Sequence, residues 1–428
     1  MKTIVIAGAG AGGLSFAYHL MRLGGSDPFQ CILIDSDTKT ENDRTWCFWG
    51  PPFEFDAFVS HRWEMLTLRD SGGSVTRNAE GYRMIPADRF YRAILDELKT
   101  DSRFSFVRGR VTAIQRAKER AIVTAAALPT AERAGCDEPV WRPLSDTPGA
   151  GTAFSADLVV DTILSGRAEP STDHPPGAQT FVGWEVEVEQ PVWDPRNAIL
   201  MDFSDRTETD RFAFTYILPI SPYGALVEHT VVGWVPPTDS IIEARLEAYL
   251  ERVLSGGDFR IVRREKGQIP LLLHRAPRAD GPILQLGVTA GAARPSTGYA
   301  FRSIVETSRA AAASVVALWR QEIGTSWSSL RIPRVDHANR RPRFFDSVFL
   351  TLLETEPDVV PSALLALFRN NPSSRVLRFL DGKSSWWDDL HIVFTLPWPP
   401  FLRAFLRTVR GDLPSNLCRY CISGEEQL

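Results

Sequence analysis

The start of the chain restricts its fold more than any other segment. Thr3-Ile4-Val5-Ile6-Ala7 is a short apolar, β-branched run that leads without a break into Gly8-Ala9-Gly10-Ala11-Gly12-Gly13. Leu14, Phe16, Ala17, Leu20 and Met21 then follow at helical spacing. This order reads as buried strand, tight turn and helix. In that setting Gly8 makes the turn, Gly10 lets a pyrophosphate approach the backbone, and Gly13 lets helix pack closely on strand. The helix start then offers free N–H groups and a positive dipole end to phosphates. A glycine run alone also fits a flexible turn, and the next segment supplies the second half of the test. Cys31-Ile32-Leu33-Ile34 reads as another buried strand and ends at Asp35, 22 residues after Gly13. That matches the spacing of roughly 20 residues to an acid that accepts hydrogen bonds from an adenosine ribose. Asp35 as a plain turn residue is the competing reading.

An adenine dinucleotide belongs to a nicotinamide or to a flavin. Arg44-Thr45-Trp46-Cys47-Phe48-Trp49 places three aromatics and an arginine directly after the ribose strand, where a large ring system needs walls and a polar anchor. A buried aromatic cluster explains the same run. Ile85 to Leu98 reads as a helix with Asp88 as its cap. From Lys118 to Phe154 the periodicity lapses, as in a surface insertion or β-excursion. Ala156 to Asp161 reads as a buried strand returning to the nucleotide sheet. Between about Thr180 and Pro270, alternating runs such as Phe181 to Val188 predict an antiparallel sheet covered on one side. Leu284 to Phe301 reads as strand, small-residue turn and helix. Apolar stripes such as Phe344-Phe345, Val348-Phe349 and Leu352-Leu353 then give an α-rich tail.

The charge balance excludes one class of partner. With 48 basic and 52 acidic residues the net charge is −4, so no basic excess exists to neutralise a nucleic-acid backbone. Five cysteines are sparse and odd in number, which fits a reducing, cytoplasmic setting. Cys418-Arg-Tyr-Cys421 has redox or zinc spacing but lacks a second Cys/His pair, so no metal site is expected. No charged and then apolar leader precedes the first strand. Ile392 to Leu402 is the least polar stretch; its 11 residues, broken by Pro397, Pro399 and Pro400, fall short of the roughly 20 that span a bilayer as a helix.

Leu226-Val227-Glu228-His229-Thr230 sets a carboxylate beside an imidazole in an apolar strand. Neighbouring strand residues point to opposite faces, so only one of Glu228 and His229 lines a given pocket wall. A carboxyl there has its pKa raised by desolvation, as an acid that protonates an unactivated double bond requires. As an anion it stabilises a cation by charge. A strand glutamate paired with an arginine on a solvent face is the bland alternative.

The run Asn42 to Trp49 resembles the signature that follows the dinucleotide fold in lycopene cyclases, the flavoproteins that close the ends of linear carotenes into rings. Pro295-Ser296-Thr297-Gly298-Tyr299 resembles that family's second flavin-contacting motif, and Arg378 to Gly382 with Leu396 to Leu402 its C-terminal pattern. The likeness extends from Ile4 to about Leu406. Leu226 to Thr230 resembles the motif in which a carboxylate pair precedes a threonine, with Glu228 as the first acid and His229 in place of the second.

The resemblance implies an α/β fold: a Rossmann-like FAD-binding domain of the aromatic-hydroxylase and geranylgeranyl-reductase type, an antiparallel-sheet substrate domain and an α-helical C-terminal region. The expected bounds are 1–117, 157–179 and 271–330 for the FAD-binding parts, 118–156 for the excursion, 180–270 for the substrate domain and 331–428 for the helical region. Expected cofactor contacts are Gly8, Gly10, Gly13, Asp35, Arg44, Thr45, Trp46, Arg89, Gly287, Gly291, Pro295, Ser296, Thr297 and Gly298, with Glu228 catalytic. For Arg89 an ordinary solvated helix arginine is an equal reading. FAD acts in its reduced form, NAD(P)H serves as electron source, the partner is a linear, lycopene-like carotenoid, and the attachment to the membrane is peripheral. A flavin monooxygenase or halogenase of the same fold and a non-catalytic isoprenoid carrier are the competing functions.

Overall fold

The computed structural model describes residues 1–129, 141–144, 151–163, 177–205, 212–271, 273, 279–320, 327, 330, 332, 336 and 339–411. Cys136 and the Cys418/Cys421 pair lie outside them, as does part of the excursion. Strand β1 (Lys2–Ala7), helix α1 (Ala11–Gly24) and strand β2 (Phe29–Asp35) form the expected unit. β1 lies near the middle of a seven-stranded sheet, between β2 and the returning strand Leu158–Asp161. Every pairing in this sheet is parallel except the short Ala279–Asp280 edge. Parallel strands are covered on both faces, and β1 shows how. Ile4 and Ile6 face a core shared with α1 and α4 (Phe301–Arg320), while Val5 packs against Ala121, Val123 and Ala156. These last residues belong to a three-stranded antiparallel sheet of Arg110–Ala117, Arg120–Ala126 and Thr152–Ala156, so the described part of the excursion is a covering layer.

The aromatic run forms β3 (Thr45–Phe48), paired with Arg83–Pro86 just before α2 (Ala87–Lys99). Asp88 does not cap α2: Pro86 holds the cap position without a side-chain cap bond, and Asn42 Oδ1 accepts from Ala87 N at 2.9 Å. Asp88 is the second residue of the helix, in its first turn, where its charge complements the dipole.

A second seven-stranded sheet runs in the order Phe259–Pro270, Ala178–Val188, Gly224–Gly233, Phe212–Ser221, Asn197–Asp202, Met65–Asp70 and Gly73–Asn78. The chain thus enters this sheet earlier than expected, through the strands at 65–70 and 73–78. It is also covered on both faces. On one, Val182, Val227 and Val231 pack on Ile242, Leu246 and Leu250 of α3 (Asp239–Val253); each such fully buried side chain contributes about 1.5–3 kcal/mol. On the other, Leu218 and Leu226 meet α6 (Val360–Asn370) and α7 (Ser373–Leu380), while Phe212, Phe214 and Val232 meet α5 (Arg340–Thr355). The helical tail supplies the second cover that the alternation alone did not announce.

The tail is tied to the segment that precedes α4 by a buried ion pair. Arg294 Nε lies 2.9 Å from Asp346 Oδ1, and both side chains are excluded from solvent. Beyond it, α8 (Trp386–Thr395) and α9 (Trp398–Arg410) present Trp386, Trp387, Phe394, Trp398 and Phe405 to solvent, Phe394 at 63% exposure. Among the described residues no helix is long and apolar enough to cross a membrane.

Candidate functional site

One cavity of about 580 Å³ runs from the β1–α1 turn to the second sheet. Its first end is made of backbone. Gly8 has φ +94°, a conformation that favours glycine, and a Cβ there would fall 2.6 Å from Thr162 Oγ1. A Cβ on Gly13 would fall 2.0 Å from the Gly8 carbonyl oxygen, so Gly13 serves the packing of α1 on β1 and does not line the cavity. Gly10 opens onto the cavity with nothing within 4 Å of its missing side chain. It also caps α1 with no side-chain acceptor, leaving helix-terminal N–H groups for a ligand's phosphates. Asp35 lines the same end; Oδ2 accepts from Ala9 N at 2.6 Å and Oδ1 from Asp37 N at 2.8 Å. Oδ1 also lies 3.5 Å from Lys39 Nζ, while Oδ2 keeps a second lone pair for a hydroxyl. Gly287, with φ +82° and open space beside it, closes the far wall. A concave, glycine-lined cradle joined to an acid fits a pyrophosphate and a ribose.

The other expected contacts divide. Arg44, Thr45, Trp46, Thr297 and Gly298 line the cavity. Trp46 also stacks on Phe301, 4.8 Å between ring centroids and 15° between planes, so it is wall and core at once. Thr45 is engaged by protein: its hydroxyl donates to Glu265 Oε2 at 2.8 Å and accepts from Arg263 Nη2 at 3.1 Å. Gly291, Pro295 and Ser296 are not on the cavity wall. Gly291 closes a short helical turn with φ +79°, and Ser296 Oγ donates to Asp346 Oδ1 at 2.6 Å. Arg89 is exposed, and its guanidinium reaches the Val59 carbonyl at 3.5 Å. Arg89 is not among the residues that line the cavity.

At the cavity's second end, alternation in Gly224–Gly233 decides between Glu228 and His229. Leu226, Glu228 and Thr230 line the cavity. His229 points the other way, its Nδ1 3.0 Å from Thr215 Oγ1, and burial with the nearby Arg245 charge lowers its pKa to about 4. His229 is therefore neutral and remote from a cavity ligand. Glu228 accepts from Thr230 Oγ1 at 3.1 Å. Loss of water, then the charge of Glu265, raise the Glu228 pKa to about 8. Around it stand Tyr216, Tyr299, Tyr82 and Cys47, with Tyr216 and Tyr299 hydroxyls 3.4 Å apart. Burial holds the phenols and the thiol in their neutral forms. This wall combines a protonated carboxyl with uncharged aromatic faces, which attract a cation. Glu265, Tyr216 and Tyr82 escaped the sequence reading; the Arg263-x-Glu265 alternation carries the signature of a solvent face.

Comparison with known proteins adds the following. The lycopene cyclase protein family matches residues 3–135 and 145–406. A lycopene beta-cyclase from Paracoccus sp. (strain N81106 / MBIC 01143) is 31% identical over 265 residues, 59% of this chain and 66% of that protein, just under two thirds of its length. Among solved structures, a geranylgeranyl bacteriochlorophyll reductase-like protein from Thermoplasma acidophilum superposes with a TM-score of 0.66 at 10% identity, covering 95% of this chain and 100% of that one. A variant of Klebsiella pneumoniae HpxO complexed with FAD gives 0.54 at 14% identity, covering 90% and 98%. At such identities the likeness is one of fold: a mixed α/β architecture shared with flavin-dependent oxidoreductases and geranylgeranyl reductase-like proteins.

Proposed function

The chain belongs to the lycopene cyclase family, and from that premise we propose that it closes the ends of a linear, lycopene-like carotene into rings, with Glu228 as the proton donor. The carrying observation is that Glu228, with its pKa raised to about 8, shares one cavity with the glycine cradle and Asp35. The carboxyl is thus protonated at neutral pH and faces a pocket of aromatic and aliphatic walls. It donates to the terminal double bond of the polyene, and the cation so formed is closed by a neighbouring double bond. The ring cation then gives up a proton to the Glu228 carboxylate left by the first step, which restores the acid and makes substrate and ring isomers. Tyr82, Tyr216 and Tyr299 stabilise the cation by their ring faces and keep out water that would capture it.

The cradle of Gly8, Gly10 and Gly287 with Asp35 suits the pyrophosphate and ribose of FAD; Arg44, Trp46, Thr297 and Gly298 line the continuation toward Glu228. Reduced FAD, when bound, supplies an electron-rich ring beside the substrate, with NAD(P)H needed only to keep it reduced. In this reading the parallel sheet is the FAD-binding part and the second sheet the substrate part. The exposed aromatic face of α8 and α9, with Arg407 and Arg410 on α9, suits peripheral attachment to an anionic bilayer, where the oily substrate resides.

The test is anaerobic turnover. Protein with dithionite-reduced FAD and lycopene in liposomes, followed by pigment chromatography, is expected to yield ring-closed carotenes without oxygen. Glu228→Gln is expected to keep its flavin and yield none. Dependence on oxygen, or one NADPH oxidised per ring, would overturn the reading in favour of a monooxygenase-type reaction.

A further inference from the structure

Glu228 has a neighbour that sequence order conceals. The Ala178–Val188 strand lies between Gly224–Gly233 and Phe259–Pro270, and its Gly183 is paired with Glu228 on one side and Glu265 on the other. Residues in register across adjacent strands present their side chains to the same face. Any side chain at position 183 would therefore stand between the two glutamates. A Cβ built there lies 3.1 Å from Glu265 Cγ and 3.4 Å from Glu228 Cβ. With glycine in place the gap is open, the side chains lean across it and their carboxyls meet.

Two carboxyls in contact, away from water, share one proton, because like charges at that range do not both ionise. The surroundings decide which one keeps it. Glu265 Oε2 receives the Thr45 hydroxyl at 2.8 Å and the Arg263 guanidinium at 2.5 Å. Arg263 is itself braced by Glu185 at 3.0 Å and by the Asn42 carbonyl at 3.1 Å. Among the described residues, the hydrogen bond that Glu228 accepts from outside the pair is that of the Thr230 hydroxyl, a neutral donor. The remaining titratable groups facing Glu228, namely Tyr82, Tyr216, Tyr299 and Cys47, are uncharged. Charge-assisted bonds thus fix the anion on Glu265.

We propose that Glu265 is the second carboxylate of the acid site, supplied from a separate strand across Gly183, and that with Arg263 and Thr45 it positions the shared proton on Glu228. It fills the chemical place that His229, facing away, does not. Glu265 is a positioning residue, and its role rests on the reading of Glu228 as the proton donor.

The experiment is a pH profile of anaerobic ring closure by the full-length, FAD-loaded protein and its variants. The parent is expected to lose activity as pH rises through about 8. Glu265→Gln removes the like charge, so Glu228 releases its proton more easily and the alkaline limb moves to lower pH. A shift of about one unit costs tenfold in rate above the limb and little well below it. Glu265→Asp, which keeps the charge, is expected to leave the limb in place even if the rate falls. A uniform loss at every pH in Glu265→Gln, or a limb displaced to higher pH, would overturn the proposal.

A second readout does not depend on turnover. The infrared carbonyl band of a protonated carboxyl in the parent protein is expected to titrate with the same limb and to vanish in Glu228→Gln. Its survival there, with loss in Glu265→Gln, would put the proton on the wrong residue. Full ring closure by Glu228→Gln would instead sink the parent reading, so the two failures are distinguishable.

Discussion

At the β1–α1 turn the cavity wall is backbone, glycine and helix-terminal N–H; around Glu228 it is carboxyl, phenol and thiol. The first end leaves no room for a side chain at its turn, as the 2.6 Å approach of a Gly8 Cβ to Thr162 Oγ1 illustrates. The second end depends on which side chains face inward and what charge they carry. Shape therefore governs one end and protonation the other, and substitutions should separate them. An isosteric change of charge is expected to silence the second end and leave the first intact. An added methyl group is expected to do the reverse.

The largest expected effect is chemical. Glu228→Gln keeps shape and removes the donated proton, so ring closure should fall by about 10²–10⁴-fold, the range of a general acid, while absorbance of bound flavin per protein stays at the parental value. Loss of flavin in this variant would break the division between the two ends.

Next comes a contrast between the packing glycine, Gly13, and the cradle glycine, Gly10. Gly13→Ala drives a methyl group into backbone and is expected to cost about 1–3 kcal/mol of stability, read from urea unfolding of flavin-free protein. Gly10→Ser meets open space, suits the cap position and holds an extended backbone at φ −77°. It is expected to leave that unfolding midpoint in place while weakening FAD binding in a fluorescence titration. Equal losses of stability in both would show that the cradle is not built as the geometry indicates.

A smaller effect follows from linkage. The folded chain holds the Glu228 proton to about pH 8, whereas the ordinary value is 4.5. Folding then takes up a proton between those values, so stability falls as pH rises across the window and levels off above it. Glu228→Gln should remove this slope and be more stable than the parent at alkaline pH, the opposite of its effect on ring closure. Unfolding midpoints at both ends of the window check the sign. Smallest of all, Arg89→Ala should change FAD affinity and stability by no more than about 0.5 kcal/mol, as for an exposed side chain.

The glycine end was legible because its parts are neighbours in the chain: turn, helix start and acid all fall within the first 35 residues. Alternation likewise separated Glu228 from His229, although it did not say which one faced the cavity. Glu265 was hidden for a topological reason. The strand that joins it to Glu228 precedes both in sequence, and α3 intervenes between them, so no local spacing records the meeting. Arg89 and Ser296 mark the opposite difficulty. Both sit in segments that resemble cofactor motifs, yet the geometry commits one to solvent and the other to Asp346.

The absent methyl group at position 183 reaches further than packing. An alanine there would pry the two acids apart, ease their mutual repulsion and leave a weaker hold on the proton. The working acidity of the pocket can thus drift over evolutionary time through a strand position that carries no charge, adjusted like a spacer between two magnets.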